Sequence, residues 1–180
     1  MMSFTFYEIE TAPENVKPQL EASKKAFGFV PGLHKALAAS PQVLEIYKHL
    51  HTEFQNSSFN NAELTVVWQT INYYHHCNYC LPAHTGIAHM MQVDEKLIDA
   101  LSKGEPVADP KLRALQETTY AIVDQRGNLT DAQLDKFYSA GYGNQQLLEI
   151  LLGLAQKVLS NYTNHLAKTP VDEAFKKFVV

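Results

Sequence analysis

Apolar residues recur at three- and four-residue spacing almost throughout this chain, and no stretch alternates with period two for long enough to make a strand. That pattern predicts an all-α fold. Proline, glycine and capping residues divide it into segments. Residues 13–27 read as a helix stopping at Gly28, Pro31-Gly32 as a turn, and 33–39 as the start of a short helix. Ser40-Pro41 has the form of an N-cap followed by proline at the first helical position. It opens 41–55, with Val43, Leu44, Ile46, Tyr47 and Leu50 on one face. Asn56 to Asn61 reads as a loop ending in an Asn cap, and an apolar helix follows from Ala62 to about Cys77. Proline is favoured only in the first turn of a helix, so Pro82 predicts a restart or kink near Cys77–Cys80, running on to Met91. Further helices are expected at 94–102, 109–125, 130–139 (capped by Thr130) and 144–167, with Thr169-Pro170 closing the last.

A chain of 180 residues with 46% hydrophobic content suits one domain with a full core. We divide it into an N-terminal helical segment 1–60, a central segment 61–104 and C-terminal helices 105–180. The balance of 15 basic against 19 acidic residues, with no basic block, argues against nucleic acid as a partner. Leu147 to Leu154 is the most apolar stretch, but Glu149 and Gly153 interrupt it and it is too short to span a bilayer. The opening MMSFTFYEIE lacks the pattern of a secretory leader, so a cytoplasmic location is expected. Asn61–Cys80 and Asn144–Thr163 align without gaps, sharing the leading Asn, Leu64/Leu147 and Asn78-Tyr79/Asn161-Tyr162. That faint similarity suggests two related helical halves.

Both cysteines fall in one motif, Cys77-Asn-Tyr-Cys80-Leu-Pro-Ala-His84. A disulfide across two residues closes almost no loop and is a poor staple, but such a pair cycles readily between dithiol and disulfide. On helical geometry residues 77, 80 and 84 share a face, which sets His84 to pair with the Cys80 sulfur and pass a proton. A helix start at Pro82 would also favour a Cys80 thiolate. Zinc is the rival, since His75, His76 and His89 stand near the motif. One contiguous helical segment rarely wraps four ligands into a tetrahedron, so no metal and no cofactor is expected. The βαβ context of a thioredoxin-type protein is missing.

The motif resembles the C-x-x-C-x-x-x-H signature of AhpD-like alkylhydroperoxidases in the carboxymuconolactone decarboxylase superfamily. Phe27-Gly-Phe-Val-Pro-Gly-Leu-His34 is similar to that group's N-terminal segment. Asn161-Tyr-Thr-Asn-His-Leu-Ala-Lys-Thr-Pro170 resembles the C-terminal signature of its peroxidase-related branch. The resemblance implies an all-helical homo-oligomer that reduces a small hydroperoxide at the expense of a thiol or protein reductant, without a membrane. By carry-over Cys80 attacks the peroxide, Cys77 resolves, and His84 belongs to the proton relay. One position departs: the family's relay glutamate, twelve residues before the first cysteine, is Thr65 here. Glu63, Glu149 and His165 are the candidate replacements. Glu63 would lie about 21 Å from Cys77 along a continuous helix and so needs a bend or a neighbouring subunit. Glu149 interrupts an apolar run, where a carboxyl pKa tends upward. Two alternatives stand beside peroxide reduction: a non-enzymatic redox sensor, and a lyase acting on a small lactone acid. The second lacks an obvious anion clamp, because Arg113 and Arg126 are the only arginines.

Overall fold

The computed structural model describes residues 4–179; Met1 to Ser3 of the opening stretch, and Val180, lie outside the described residues. The described residues form nine α-helices in order: α1 (Lys17–Phe27), α2 (Gly32–Leu37), α3 (Pro41–Gln55), α4 (Asn61–Tyr74), α5 (Cys80–Met90), α6 (Glu95–Ser102), α7 (Pro110–Asp124), α8 (Asp131–Ser139) and α9 (Asn144–Ala167). A short 3-10 helix (Glu173–Phe178) follows α9, an element without a sequence expectation. Among the described residues there is no strand.

Caps explain most of the boundaries. Asn60 and Glu63 form a reciprocal capping box at the start of α4, so the cap is one residue earlier than Asn61. Asp94, Asp109 and the expected Thr130 cap α6, α7 and α8 through side-chain oxygens. Ser40 has the extended backbone of a cap, but its hydroxyl accepts nothing from α3. The first helix starts at Lys17 rather than residue 13, because Pro18 is tolerated only in the first turn.

Helix α4 packs against α5, α6, α7 and α9, and α3 contributes to two cores. One is built on Phe54, Trp68, Leu115, Phe137 and Ile150, the other on Val16, Leu20, Leu37, Leu44, Tyr47, Cys77 and Cys80. Alpha-helix α3 lies against α9 at Gly153, where an added Cβ would stand 2.8 Å from the Phe54 ring. The three sequence segments therefore interleave. No helix among the described residues is long and apolar enough to cross a membrane.

Candidate active site

The cysteine pair sits where α4 ends and α5 begins. His76 takes a left-handed backbone (φ 51°), its N–H donates to Tyr73 O, and the Cys77 N–H donates to Asn72 O, both at 3.0 Å. This pair of bonds is a Schellman motif, and it ends α4 at Tyr74, three residues before the expected boundary. The chain then turns sharply, and the Cys80 N–H donates to Cys77 Sγ at 3.2 Å. Cys77 thus occupies the turn before α5 while Cys80 is the first residue of that helix, with Pro82 in its first turn. The predicted restart is present. Both thiols are free and buried.

Helix α9 supplies the other wall. Gln156, Lys157, Ser160, Asn161 and Asn164 form a buried polar face that points at α3, α4 and α5. Asn164 Nδ2 donates to Cys80 Sγ at 3.2 Å. Asn161 Nδ2 donates to Asn72 Oδ1 (3.0 Å), and Asn72 in turn holds Gln69 Oε1 (2.9 Å). Gln69 reaches across to Leu81 O and Thr85 Oγ1 on α5, so an amide chain fixes α9, α4 and the cysteine turn together. Buried amides satisfied in this way are rigid, because each unmade bond would cost about 1–3 kcal/mol.

Lys157 is the decisive residue that the sequence reading missed. Its side chain is fully buried, its Nζ lies 2.9 Å from His84 Nε2, and among the described residues no carboxylate pairs with it. Burial lowers the Lys157 pKa, while the Cys80 and Cys77 thiolates oppose that shift. His84 is held well below its ordinary value by burial, then by Lys157 and His51, so it is a neutral imidazole. An Nε2 that accepts from the ammonium leaves the His84 proton on Nδ1, and this buried nitrogen has no partner. Burial alone would raise the Cys80 thiol. The hydrogen bond with Cys77, the Lys157 charge and the Asn164 and Asn161 amides outweigh it and bring Cys80 below the ordinary thiol range. Cys77 moves the other way, because of its hydrogen bond to Cys80 and its burial. These surroundings favour a thiolate at Cys80 over one at Cys77.

The two cysteines border different hollows. Cys80 and His84 line a cavity of about 70 Å³ walled by Phe29, Leu33, His34, Tyr47, His51 and Lys157. Its outer residues include Phe27 and Met90, both well exposed. His51 stacks on Trp68, and Gln156 ties Trp68 Nε1 (2.7 Å) to Tyr47 Oη (3.3 Å) behind the cavity. Cys77 borders a second, more open cleft with Asn164, His165, Lys168 and Thr169.

Of the three residues expected to replace the relay glutamate, only His165 stands beside a cysteine, in that second cleft. Glu63 is at the opposite end of α4, holding the Asn60 N–H, Tyr142 Oη (3.0 Å) and Lys111 Nζ (3.1 Å). Glu149 accepts from the Ser58 N–H and hydroxyl, far along α9 from the site. Within this chain the fold brings neither carboxylate to the cysteines. Thr65 bonds its own helix at Asn61 O (2.7 Å). His75 holds Asn161 Oδ1 at 2.9 Å, and His89 pairs with Glu95, so the histidines around the motif point apart. Trp68 is core and Tyr162 is half exposed.

No family profile matches the chain, and no curated protein matches it in sequence. Solved structures do match its fold. An uncharacterized peroxidase-related protein from Silicibacter sp. TM1040 superposes with TM-score 0.80 at 16% identity, covering 97% of this chain and 95% of that one. A peroxidase-related protein with an alkylhydroperoxidase AhpD core, from Ralstonia eutropha JMP134, gives TM-score 0.77 at 18% identity, covering 97% and 96%. The debrominase Bmp8, in complex with 2,3,4-tribromopyrrole, gives TM-score 0.80 at 15% identity, covering 99% and 96%. The chain therefore has the all-α, AhpD-like fold.

Proposed function

We propose that this protein is an oxidoreductase that reduces hydroperoxides through a Cys77–Cys80 dithiol/disulfide cycle. The observation that carries the reading is a buried Cys80 whose neighbours favour its thiolate, lining a small cavity beside His84, with Cys77 close behind it. The thiolate attacks one peroxide oxygen, the O–O bond breaks, and Cys80 becomes a sulfenic acid. Cys77 Sγ then attacks the Cys80 sulfur, the S–O bond breaks, and the departing hydroxide leaves as water with the Cys77 proton. A thiol reductant restores the pair. A volume near 70 Å³ is about twice the space one water occupies, so the cavity takes the peroxide group while any larger tail extends between Phe27 and Met90.

Trapping of Cys80 sulfenic acid in Cys77→Ser, with loss of turnover in Cys80→Ser, is the expected result. Full turnover by Cys80→Ser would falsify the reading. The aromatic walls favour a second substrate class, a halogenated aromatic ring such as that bound by the structurally similar debrominase. Bromide release from 2,3,4-tribromopyrrole, measured beside peroxide loss with the same reductant, separates the two. The exposed stripe Leu148, Leu151, Tyr162 and Leu166 on α9 supports the expected self-association, which sedimentation would test.

A further inference from the structure

Lys157 raises a question of charge that the cysteine cycle alone leaves open. It is buried on α9 against four other helices, and the titratable groups facing its cavity are His84 and Cys80 from α5, Tyr79 from the turn before it, His51 and Tyr47 from α3, and His34 from α2. The nearby side chains of α4, Trp68, Gln69 and Asn72, are neutral. Among the described residues no Asp or Glu lines this cavity. The anion available to balance a Lys157 ammonium is therefore a cysteine thiolate, and disulfide formation removes it.

We propose that Lys157 is the proton store of the oxidative half-reaction, giving up its proton through His84 when the cysteine pair is oxidised and regaining it on reduction. The inference rests on the hydroperoxide reading for its first step and on the thiol pair for the rest. As the Cys80 thiolate breaks the O–O bond, the leaving alkoxide takes the proton from His84 Nδ1. This is the buried N–H that has no partner in the resting site. His84 Nε2 takes a proton from Lys157 Nζ across the 2.9 Å contact, and the imidazole ends in its other tautomer.

The sum balances without exchange with solvent. One thiolate, one thiol, one ammonium and one hydroperoxide give a disulfide, an alcohol, a water and a neutral amine. In the reverse direction the reductant delivers two electrons and two protons, one to Cys77 and one to Lys157. The direction of the Lys157 shift agrees: burial favours the amine, and the thiolates are what favour the ammonium.

The test is the thiol–disulfide equilibrium of the whole protein with dithiothreitol between about pH 7 and pH 8, where most dithiothreitol thiols are protonated. Ultraviolet thiolate absorbance of the reduced protein is followed in the same samples. If two protons enter with two electrons, the equilibrium constant stays level within about twofold, although the reduced protein shows a thiolate throughout. An equilibrium constant rising about tenfold per pH unit in the wild type would mean that Lys157 stays charged, and overturns the proposal. So does absence of the thiolate absorbance.

Lys157→Arg cannot release its proton, so a folded variant is expected to show that tenfold rise; a level profile there places the proton elsewhere and also overturns the proposal. Lys157→Met, as a second variant, is expected to lose the thiolate absorbance. No peroxide enters this experiment. Failure of peroxide turnover with a level equilibrium sinks the functional reading alone, and the opposite pattern sinks only the coupling.

Discussion

Lys157 Nζ stands 2.9 Å from His84 Nε2, joining a fully buried cation on α9 to a neutral imidazole one turn beyond Cys80. Replacing Lys157 by methionine keeps most of the apolar stem of the side chain and removes the charge that helps to hold the Cys80 thiolate. Alkylation of Cys80 by iodoacetamide at neutral pH is expected to slow by about tenfold or more in Lys157→Met, since the thiolate is the nucleophile. An unchanged rate would show that the Asn164 and Asn161 amides and Cys77 suffice. The same variant, with the pair oxidised, is expected to be more stable than oxidised wild type by a few kcal/mol, because the buried lysine must then give up a proton that it keeps in the unfolded chain. Denaturant midpoints of the two oxidised proteins check this.

Acid should destabilise the fold through its buried imidazoles, His34 and His51 beside His84. Burial, then Lys48 and His51, lower the His34 pKa to about 3; burial, then Lys157, lowers His51 to about 4. In the unfolded chain both titrate near 6.5. Above that pH both states are neutral, and the contribution of each group to stability is complete. As the pH falls below about 6.5 the unfolded chain binds protons that the folded chain refuses. Stability then falls by about 1.4 kcal/mol per pH unit for each group, until the folded values are reached. Urea melts from pH 7 down to pH 5 should show this slope. His51→Phe, which retains the stack on Trp68, should shallow it by about one proton.

The elements that follow local rules were readable in the chain, and those that depend on the reversed polarity of α9 were not. Pro82 announced the helix restart, Thr130 its cap, and 41–55 its bounds, because caps and prolines act within a single turn. Gln156, Lys157, Ser160, Asn161 and Asn164 follow helical spacing that, in a sequence, looks like the wet face of an amphipathic helix. In the fold this face is buried and Leu148, Leu151, Tyr162 and Leu166 are exposed. The signal that existed was the apolar count: leucines on the opposite face of α9 leave a polar stripe too narrow to be the only outside of the helix. The alignment of Asn61–Cys80 with Asn144–Thr163 matches two helix starts, but α4 ends at Tyr74 where α9 continues, so Asn78 lies in the turn and Asn161 in the amide chain.

Glu63 separates a relay role from a structural one. Its carboxylate serves the Asn60 N–H, Tyr142 and Lys111 at the far end of α4 from the cysteines. Glu63→Ala is expected to cost about 1–3 kcal/mol of stability, through the lost cap and an unpaired Tyr142 hydroxyl. Cys80 alkylation and peroxide turnover per folded molecule should stay within about twofold of wild type. A large loss of turnover without loss of stability would return Glu63 to the relay, through contact with another subunit.

Gly153 tests whether the spacing of α3 and α9 sets the site. Alanine is favoured over glycine inside a helix by about 1 kcal/mol, so Gly153→Ala would stabilise an isolated α9. Here the new methyl would stand 2.8 and 2.9 Å from two atoms of the Phe54 ring and 3.1 Å from Val67, and both neighbours are fully buried. Overpacking of a filled core costs about 1–3 kcal/mol, so the clash is expected to win and the variant to melt earlier than wild type. Relief comes most readily by moving α9 away from α3. Gln156 and Lys157 are three and four residues further along α9, and Gln156 bonds Tyr47 on α3. The shift should therefore lengthen the Lys157–His84 contact and slow Cys80 alkylation severalfold, although residue 153 does not line the cavity. A Gly153→Ala protein that melts earlier but alkylates at the wild-type rate would show that α5 follows α9, and that the spacing of α3 is not what positions the lysine.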